Sequence, residues 1–378
     1  MKNACYIIVL LACVSVFAGC GSQAGEHGGG EELSGERLPE PYGAYVDVLE
    51  QILTQHTDPN GREYSSDPNH DFDNNTFAIA DVDLDGQPEL IFRYMSSNGA
   101  GMCEVVYGYD PEAVLTGGKE YEVREKDIMP DLDEVRIVYH PATRETLNRI
   151  METNRQAAIY AEQAEEWMWW DEAQPYASQY LMYDLDRDGS LELIANFVQG
   201  SGIYSENHFY GLTQEEKVRE LPLVELCEGT QRDWIAAFDL AWYDFDTAYQ
   251  DETGVIYYEG MDYTRDGSDG RYDETGFYYL KGTTVYQDSI RRSSSFYERS
   301  EDGGLDSEEL EVHYYGILDR EEITEEEYTA VREEYVQDMT GLQVYQKWVG
   351  FGNEELEQGW PTEEQIRLKL LDSFWGSE

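Results

Sequence analysis

The chain has 378 residues, with 79 acidic against 26 basic side chains and a net charge of −53. A surplus of that sign excludes nucleic acid, whose binding requires Lys and Arg to displace phosphate counterions, and docking on anionic lipid through a basic patch. The length allows two or three domains with their own cores and the field draws divalent cations, although adaptation to salt is a competing account of the acidity, since only seven basic residues are Lys.

The first residues read as Lys2, an apolar run from Ala4 to Ala18, then Gly19 and Cys20. One positive charge, a short apolar stretch and small residues before a cut mark a signal peptide over residues 1–19. A spanning helix would need ~20 apolar residues. The segment Phe17-Ala18-Gly19-Cys20 resembles a lipobox, with Phe17 where Leu is commoner, and the resemblance implies acylation of Cys20 and cleavage before it. An ordinary secretory signal, or a site at Cys13, is the alternative. Residues 20–40 follow as a tether. Gly21–Glu40 holds six glycines and five glutamates, too little apolar surface for a core, and spans roughly 25 Å by flexible-coil scaling. The expected location is extracytoplasmic, at the bacterial cell surface, with the lipid as the membrane contact.

The folded part opens on an amphipathic helix over Tyr42–Gln55, where Tyr45, Val48, Leu49 and Ile52 recur at spacings of three and four. The run Phe77–Ala80 leads into an acidic loop, Asp81-Val-Asp83-Leu-Asp85-Gly86-Gln-Pro-Glu89-Leu90-Ile91. A second helical pattern passes through Leu147, Ile150, Ala157, Ala161, Ala164 and Met168. It precedes a second copy, offset by 103 residues without a gap: Tyr180–Tyr183, then Asp184-Leu-Asp186-Arg-Asp188-Gly189-Ser-Leu-Glu192-Leu193-Ile194. The register persists in Gly99 with Gly202, Tyr107 with Tyr210 and Gly108 with Gly211. Each copy reads as strand, acidic loop, strand, glycine turn, strand, one module used twice. Module 1 is placed at 41–141 with its loop at 81–89, and module 2 at 142–250 with its loop at 184–192.

Carboxylates on alternate loop residues can converge on one point, and calcium accepts about six to eight oxygens in a flexible shell. Asp81, Asp83 and Asp85 are the candidate ligands of the first loop. Gly86 allows the sharp turn back, and the carbonyl of Gln87 and the side chain of Glu89 close the shell. Asp184, Asp186, Asp188, the carbonyl of Ser190 and Glu192 take the same parts in the second. An EF-hand would place its glutamate at the twelfth loop position; Phe92 and Ala195 stand there, so these are not EF-hands. The arrangement resembles the DxDxDGxxD/E calcium loops of FG-GAP and VCBS-type repeats. It is closer to the DxDxDGxxELI modules of Gram-positive surface lipoproteins. Over Phe77–Gly108 and Tyr180–Gly211 the resemblance implies two calcium-stabilised, surface-exposed modules with EF-hand-like loops. Two copies about a hundred residues apart do not make the propeller of true FG-GAP repeats. The alternative is a pair of acidic turns without metal, since Asp and Gly are ordinary turn residues.

Trp167, Trp169 and Trp170 crowd the end of the second helix, as core or as a sugar-stacking platform. Residues 251–378 change to short aromatic and β-branched runs: Val255–Tyr258, Phe277–Leu280, Thr283–Tyr286 and Leu310–Tyr315, with Lys281-Gly282 as a hairpin turn. Their tyrosines suit half-buried strands or a ligand-binding sheet equally. Two helices close the chain. One is capped by Thr324 with Glu327 and stops near Gly341; the other starts at Thr362 and lays Ile366, Leu370 and Phe374 on one face. Of the cysteines left after processing, Cys103 and Cys227 pair in an exported chain or stay as buried thiols. No CxxC or Cys/His cluster favours structural zinc.

The fold class expected is α+β: two similar helix-plus-antiparallel-sheet modules, then a β-rich meander and C-terminal helices. No GxSxG elbow, HExxH or phosphate-cradling glycine loop occurs. The function expected is therefore a calcium-binding surface lipoprotein acting as a binding module toward a glycan or protein ligand, with two mainly structural ions, rather than an enzyme. An extracellular enzyme on wall or dietary polysaccharide and a purely structural envelope protein are the alternatives.

Overall fold

The computed structural model describes residues 38–64, 75–95, 102–110, 122–126, 137–168, 178–199, 204–225, 247–266, 270–299, 305–316, 322–351 and 360–377. Residues 1–37, with the expected signal peptide and Cys20, and Gly99, Trp169, Trp170, Gly202 and Cys227 lie outside the described residues. Packing begins at Leu38, which is buried, and the Glu40 carboxylate accepts the Ala44 amide at 3.1 Å. The last three residues of the stretch read as tether thus belong to the folded body.

The spacing in Tyr42–Gln55 does produce a helix, α1 (Tyr42–Gln55), with Tyr45, Val48, Leu49 and Ile52 buried. Behind it, β1 (Thr76–Ala80), β2 (Glu89–Met95), β3 (Met102–Asp110), β4 (Glu122–Lys126) and β5 (His140–Pro141) form an antiparallel sheet in the order β4-β3-β2-β1-β5. Then α2 (Arg144–Glu162) starts at Thr143, whose side chain accepts the Thr146 amide. It ends earlier than the apolar pattern suggests, and a 3₁₀ turn over Ala164–Glu166 carries the chain onward. That turn brings Trp167 inside, where its Nε1–H donates to the Tyr160 carbonyl at 2.7 Å. A fully buried ring cannot serve as a stacking platform.

The second module repeats the first in β6 (Ser178–Tyr183), β7 (Glu192–Gln199), β8 (Tyr204–Leu212) and β9 (Val218–Leu221). The 103-residue offset survives as pairing: Ile79 lies opposite Leu90 and Met182 opposite Leu193, and Leu90 faces Tyr107 as Leu193 faces Tyr210.

The remaining strands are β10 (Leu223–Glu225), β11 (Thr247–Gln250), β12 (Ile256–Asp266), β13 (Gly270–Lys281), β14 (Thr284–Arg299), β15 (Leu305–Gly316) and β16 (Glu322–Ile323), followed by α3 (Glu325–Val336), β17 (Thr340–Gln343), β18 (Val349–Gly350) and α4 (Glu363–Trp375). An eight-stranded sheet runs β16-β15-β14-β13-β12-β11-β17, with β10 parallel to β14. Gly282, at φ +64°, makes the expected β13–β14 turn. Thr324 and Thr362 both form capping boxes, with Glu327 and Gln365. However, α3 stops at Val336 instead of near Gly341. Pairing with β11 claims residues 340–343 for a strand, placing Gly341 opposite Tyr249. Strand β11, within the stretch assigned to module 2, thereby belongs to the eight-stranded sheet.

The architecture is α+β, with helices on one face of the module sheets and, over module 2, a second sheet on the other. Leu181, Tyr183, Ile194 and Phe209 meet Tyr258 and Leu280 between the two sheets, and each such side chain contributes about 1.5–3 kcal/mol when fully buried. On the helix side, α4 spans both modules. Trp375 lies against Tyr42 (6.3 Å between ring centroids) and Phe77 (6.0 Å), while the Met182 amide donates to Ser373 Oγ at 3.1 Å. Among the described residues no helix is long and apolar enough to cross a membrane.

Candidate metal centres

Strand pairing sets the loop geometry. Ala80 lies opposite Glu89 and Tyr183 opposite Glu192, so the eight residues between each pair must reverse the chain. Both loops do so with the same backbone. Leu84 and Arg187 adopt φ +57° and +59°, and Gly86 and Gly189 adopt +89° and +92°. These are left-handed values, which only glycine reaches without strain.

Internal hydrogen bonds then aim the carboxylates. In the first loop Asp81 accepts the amides of Asp85 (3.1 Å) and Gly86 (2.8 Å), and Asp85 accepts that of Gln87 (2.9 Å). In the second, Asp184 accepts the Gly189 amide (3.3 Å), Asp186 that of Asp188 (3.3 Å) and Asp188 that of Ser190 (2.7 Å). Glu89 and Glu192 each accept the amide of the second loop residue, Val82 and Leu185, at 3.0 Å. The twelfth positions, Phe92 and Ala195, sit inside β2 and β7, in strands where an EF-hand would have a helix.

Of the candidate ligands, the structure brings together Asp81, Asp83 and Asp85, and separately Asp184, Asp186 and Glu192; within each group one oxygen per carboxylate lies within 4.8 Å of the others. Both clusters can hold a metal ion. Glu89 and Asp188 lie outside these groups and accept the amides of Val82 and Ser190, while the Gln87 amide donates to Asp85.

The second site is the more enclosed. Glu192 is 5 % exposed, and burial, followed by the charges of Asp186, Asp184 and Asp188, pushes its carboxyl up to about 9 against the pull of the Leu185 amide. Burial also raises Asp184 and Asp186. Arg149 of α2 stands 3.7 Å from Asp184.

Sequence reasoning missed the helix residues that hold the loops. The Tyr45 hydroxyl donates to the Pro88 carbonyl at 2.6 Å, and the Tyr160 hydroxyl to the equivalent Leu191 carbonyl at 2.8 Å. Gln156 accepts the Leu191 amide (2.7 Å) and donates to the Gly189 carbonyl (3.0 Å). A glutamine on the apolar side of α2 was the available signal, because a buried amide requires partners.

No family model, curated protein or solved structure matches the chain. The donors in both clusters are carboxylate oxygens alone, which suits a hard cation and not the thiolate or imidazole sites of zinc and copper. Elsewhere, Cys103 is half-buried on β3 and has no disulfide partner among the described residues; Cys227, with which it would pair or stay as one of two buried thiols, lies outside them. Tyr257, Tyr279 and Tyr286, all half-buried, pack in a row across the eight-stranded sheet at 4.5 and 5.4 Å.

Proposed function

We propose that this chain is a calcium-binding lipoprotein held at the bacterial cell surface by a lipid on Cys20. It acts there as a binding module for a glycan or protein, and its two ions are mainly structural. The observation that carries the reading is that two loops 103 residues apart share a left-handed turn, the same glutamate brace and a convergent carboxylate cluster. Like charges so close repel unless a cation or protons neutralise them. A calcium ion, with its tolerance for irregular oxygen shells, is the partner that best fits an extracytoplasmic protein. Bound there, it would supply charge neutralisation and a tie between the strands flanking each loop. Asp81, Asp83 and Asp85, and Asp184, Asp186 and Glu192, would hold the ions. Anchoring rests on Phe17–Cys20 and the glycine-rich stretch behind it.

The test is calorimetric titration of the metal-stripped full chain with calcium, beside Asp83→Ala and Asp186→Ala. The expectation is uptake of two ions by the parent and one by each variant, with dissociation constants of roughly 10⁻⁴–10⁻³ M, as for extracellular modules. Absence of uptake at millimolar calcium would reduce the loops to acidic turns.

A further inference from the structure

The two loops share a motif but not their surroundings. We infer that the second is a clasp through which ion occupancy governs the seating of the eight-stranded sheet on module 2, whereas the first is an independent site. The inference rests on the metal-binding reading above.

The second residue of each loop packs on the sheet face away from the helices. In module 1 that residue is Val82, which packs in a small cluster with Ala78, Ile91 and Val106 of its own module. Its counterpart Leu185 is wholly buried in the core that joins module 2 to the eight-stranded sheet. The Leu185 amide donates to Glu192, a member of the carboxylate cluster, at 3.0 Å. Its carbonyl accepts the hydroxyl of Tyr258, on β12 of the other sheet, at 2.9 Å. One residue therefore touches the candidate ion site on one side and the neighbouring sheet on the other.

The rest of the second loop is gripped where the first is open. Asp184 is buried beside Arg149, and Gln156 holds the main chain of Gly189 and Leu191. In the first loop Asp83 and Asp85 are exposed, and Leu84 at the tip is 61 % exposed. Without a cation, nothing draws the Asp184, Asp186 and Glu192 oxygens to one centre, and the second loop loosens. The displacement reaches Leu185 and Tyr258 directly. Because coupling is reciprocal, a seated sheet must in turn raise the affinity of the second site for its ion.

Two measurements on the full chain test this. Amide exchange is followed by mass spectrometry in calcium and in chelator, and calcium is titrated into Tyr258→Phe, which keeps the ring and loses the hydroxyl. Chelation should speed exchange over 256–260 and 278–285 as well as over the second loop. Asp186→Ala should do the same in calcium, while Asp83→Ala confines its effect to 76–95. Tyr258→Phe should weaken the second site about fivefold, the worth of one neutral hydrogen bond, and leave the first site unchanged. The inference is overturned if two ions bind yet 256–260 and 278–285 exchange alike with and without calcium, or if Tyr258→Phe titrates like the parent. Uptake of no ion is a separate result, which removes the metal reading and the clasp with it.

Discussion

Replacing Glu192 by Gln should make the metal-free protein more stable and the calcium-loaded protein less stable. Glu192 is buried, and its carboxyl is pushed up to about 9 by that burial and then by Asp186, Asp184 and Asp188. In the unfolded chain it titrates near ~4.3. Between these values the folded state holds a proton that the unfolded state does not. Stability is therefore full below about 4.3, falls as pH rises through the interval, and levels off above about 9. At pH 7 the deficit is about 2.7 units at ~1.36 kcal/mol each, or ~3.7 kcal/mol. Gln keeps an oxygen for the Leu185 amide and carries no charge, so it recovers most of that. Urea unfolding in chelator at pH 5, 7 and 8 reads the effect. The variant should gain up to ~3 kcal/mol at pH 7 with an unchanged denaturant slope, and the gap should shrink toward pH 5. In calcium the order should reverse, because a neutral amide oxygen is a weaker ligand than a carboxylate. A chelated variant less stable than the parent, or a gap identical at pH 5 and pH 8, would refute the reasoning.

Three further outcomes are expected. Trp375→Ala removes the ring that α4 inserts against Tyr42 and Phe77 and should cost about 3–5 kcal/mol; a loss below about 1 kcal/mol in chemical unfolding would mean that α4 does not tie the modules. Trp375→Phe should be milder, since the indole Nε1–H is buried without an acceptor among the described residues and deleting it offsets part of the lost volume. Gly189→Ala forces a side chain onto φ +92° and should destabilise by ~1 kcal/mol or more, weakening calcium uptake at the second site alone, as titration would show. Cys20→Ala should move the protein from the membrane fraction to the medium and abolish fatty-acid labelling; a variant still sedimenting with membranes would count against lipid anchoring.

What was legible in the sequence was local. The helix α1, the capping box at Thr324, the helix start at Thr362 and the Lys281-Gly282 turn follow from spacing, caps and left-handed glycine, none of which depends on distant residues. The strand–loop–strand unit was legible for the same reason, and repetition fixed its register. The end of α3 was not, because the decision lies with β11, about ninety residues away: pairing of Gly341 with Tyr249 satisfies main-chain groups that a longer helix would have satisfied internally. The candidate ligands were legible as residue types. Which of them converge was not, because equivalent residues that accept the same amides, Asp85 and Asp188 or Glu89 and Glu192, fall inside the cluster in one loop and outside it in the other.

The repeat also held a second signal, in the positions where its copies differ. At the 103-residue offset, Ala78, Ala80, Val82 and Val106 correspond to Leu181, Tyr183, Leu185 and Phe209. All four positions lie on the sheet face away from the helices, and all four are larger in the second copy. Small side chains leave a face that Ile137 and Tyr139 help to cover from within module 1. Large ones expose apolar area worth about 25 cal/mol per Å², which only another layer can remove from water, and the eight-stranded sheet supplies it through Ile256, Tyr258 and Val285. Shared positions in the two copies thus mark the chemistry they have in common. The unequal ones mark the interface, and Leu185 joins the two, its amide held by Glu192 of the cluster and its side chain buried in the interface core.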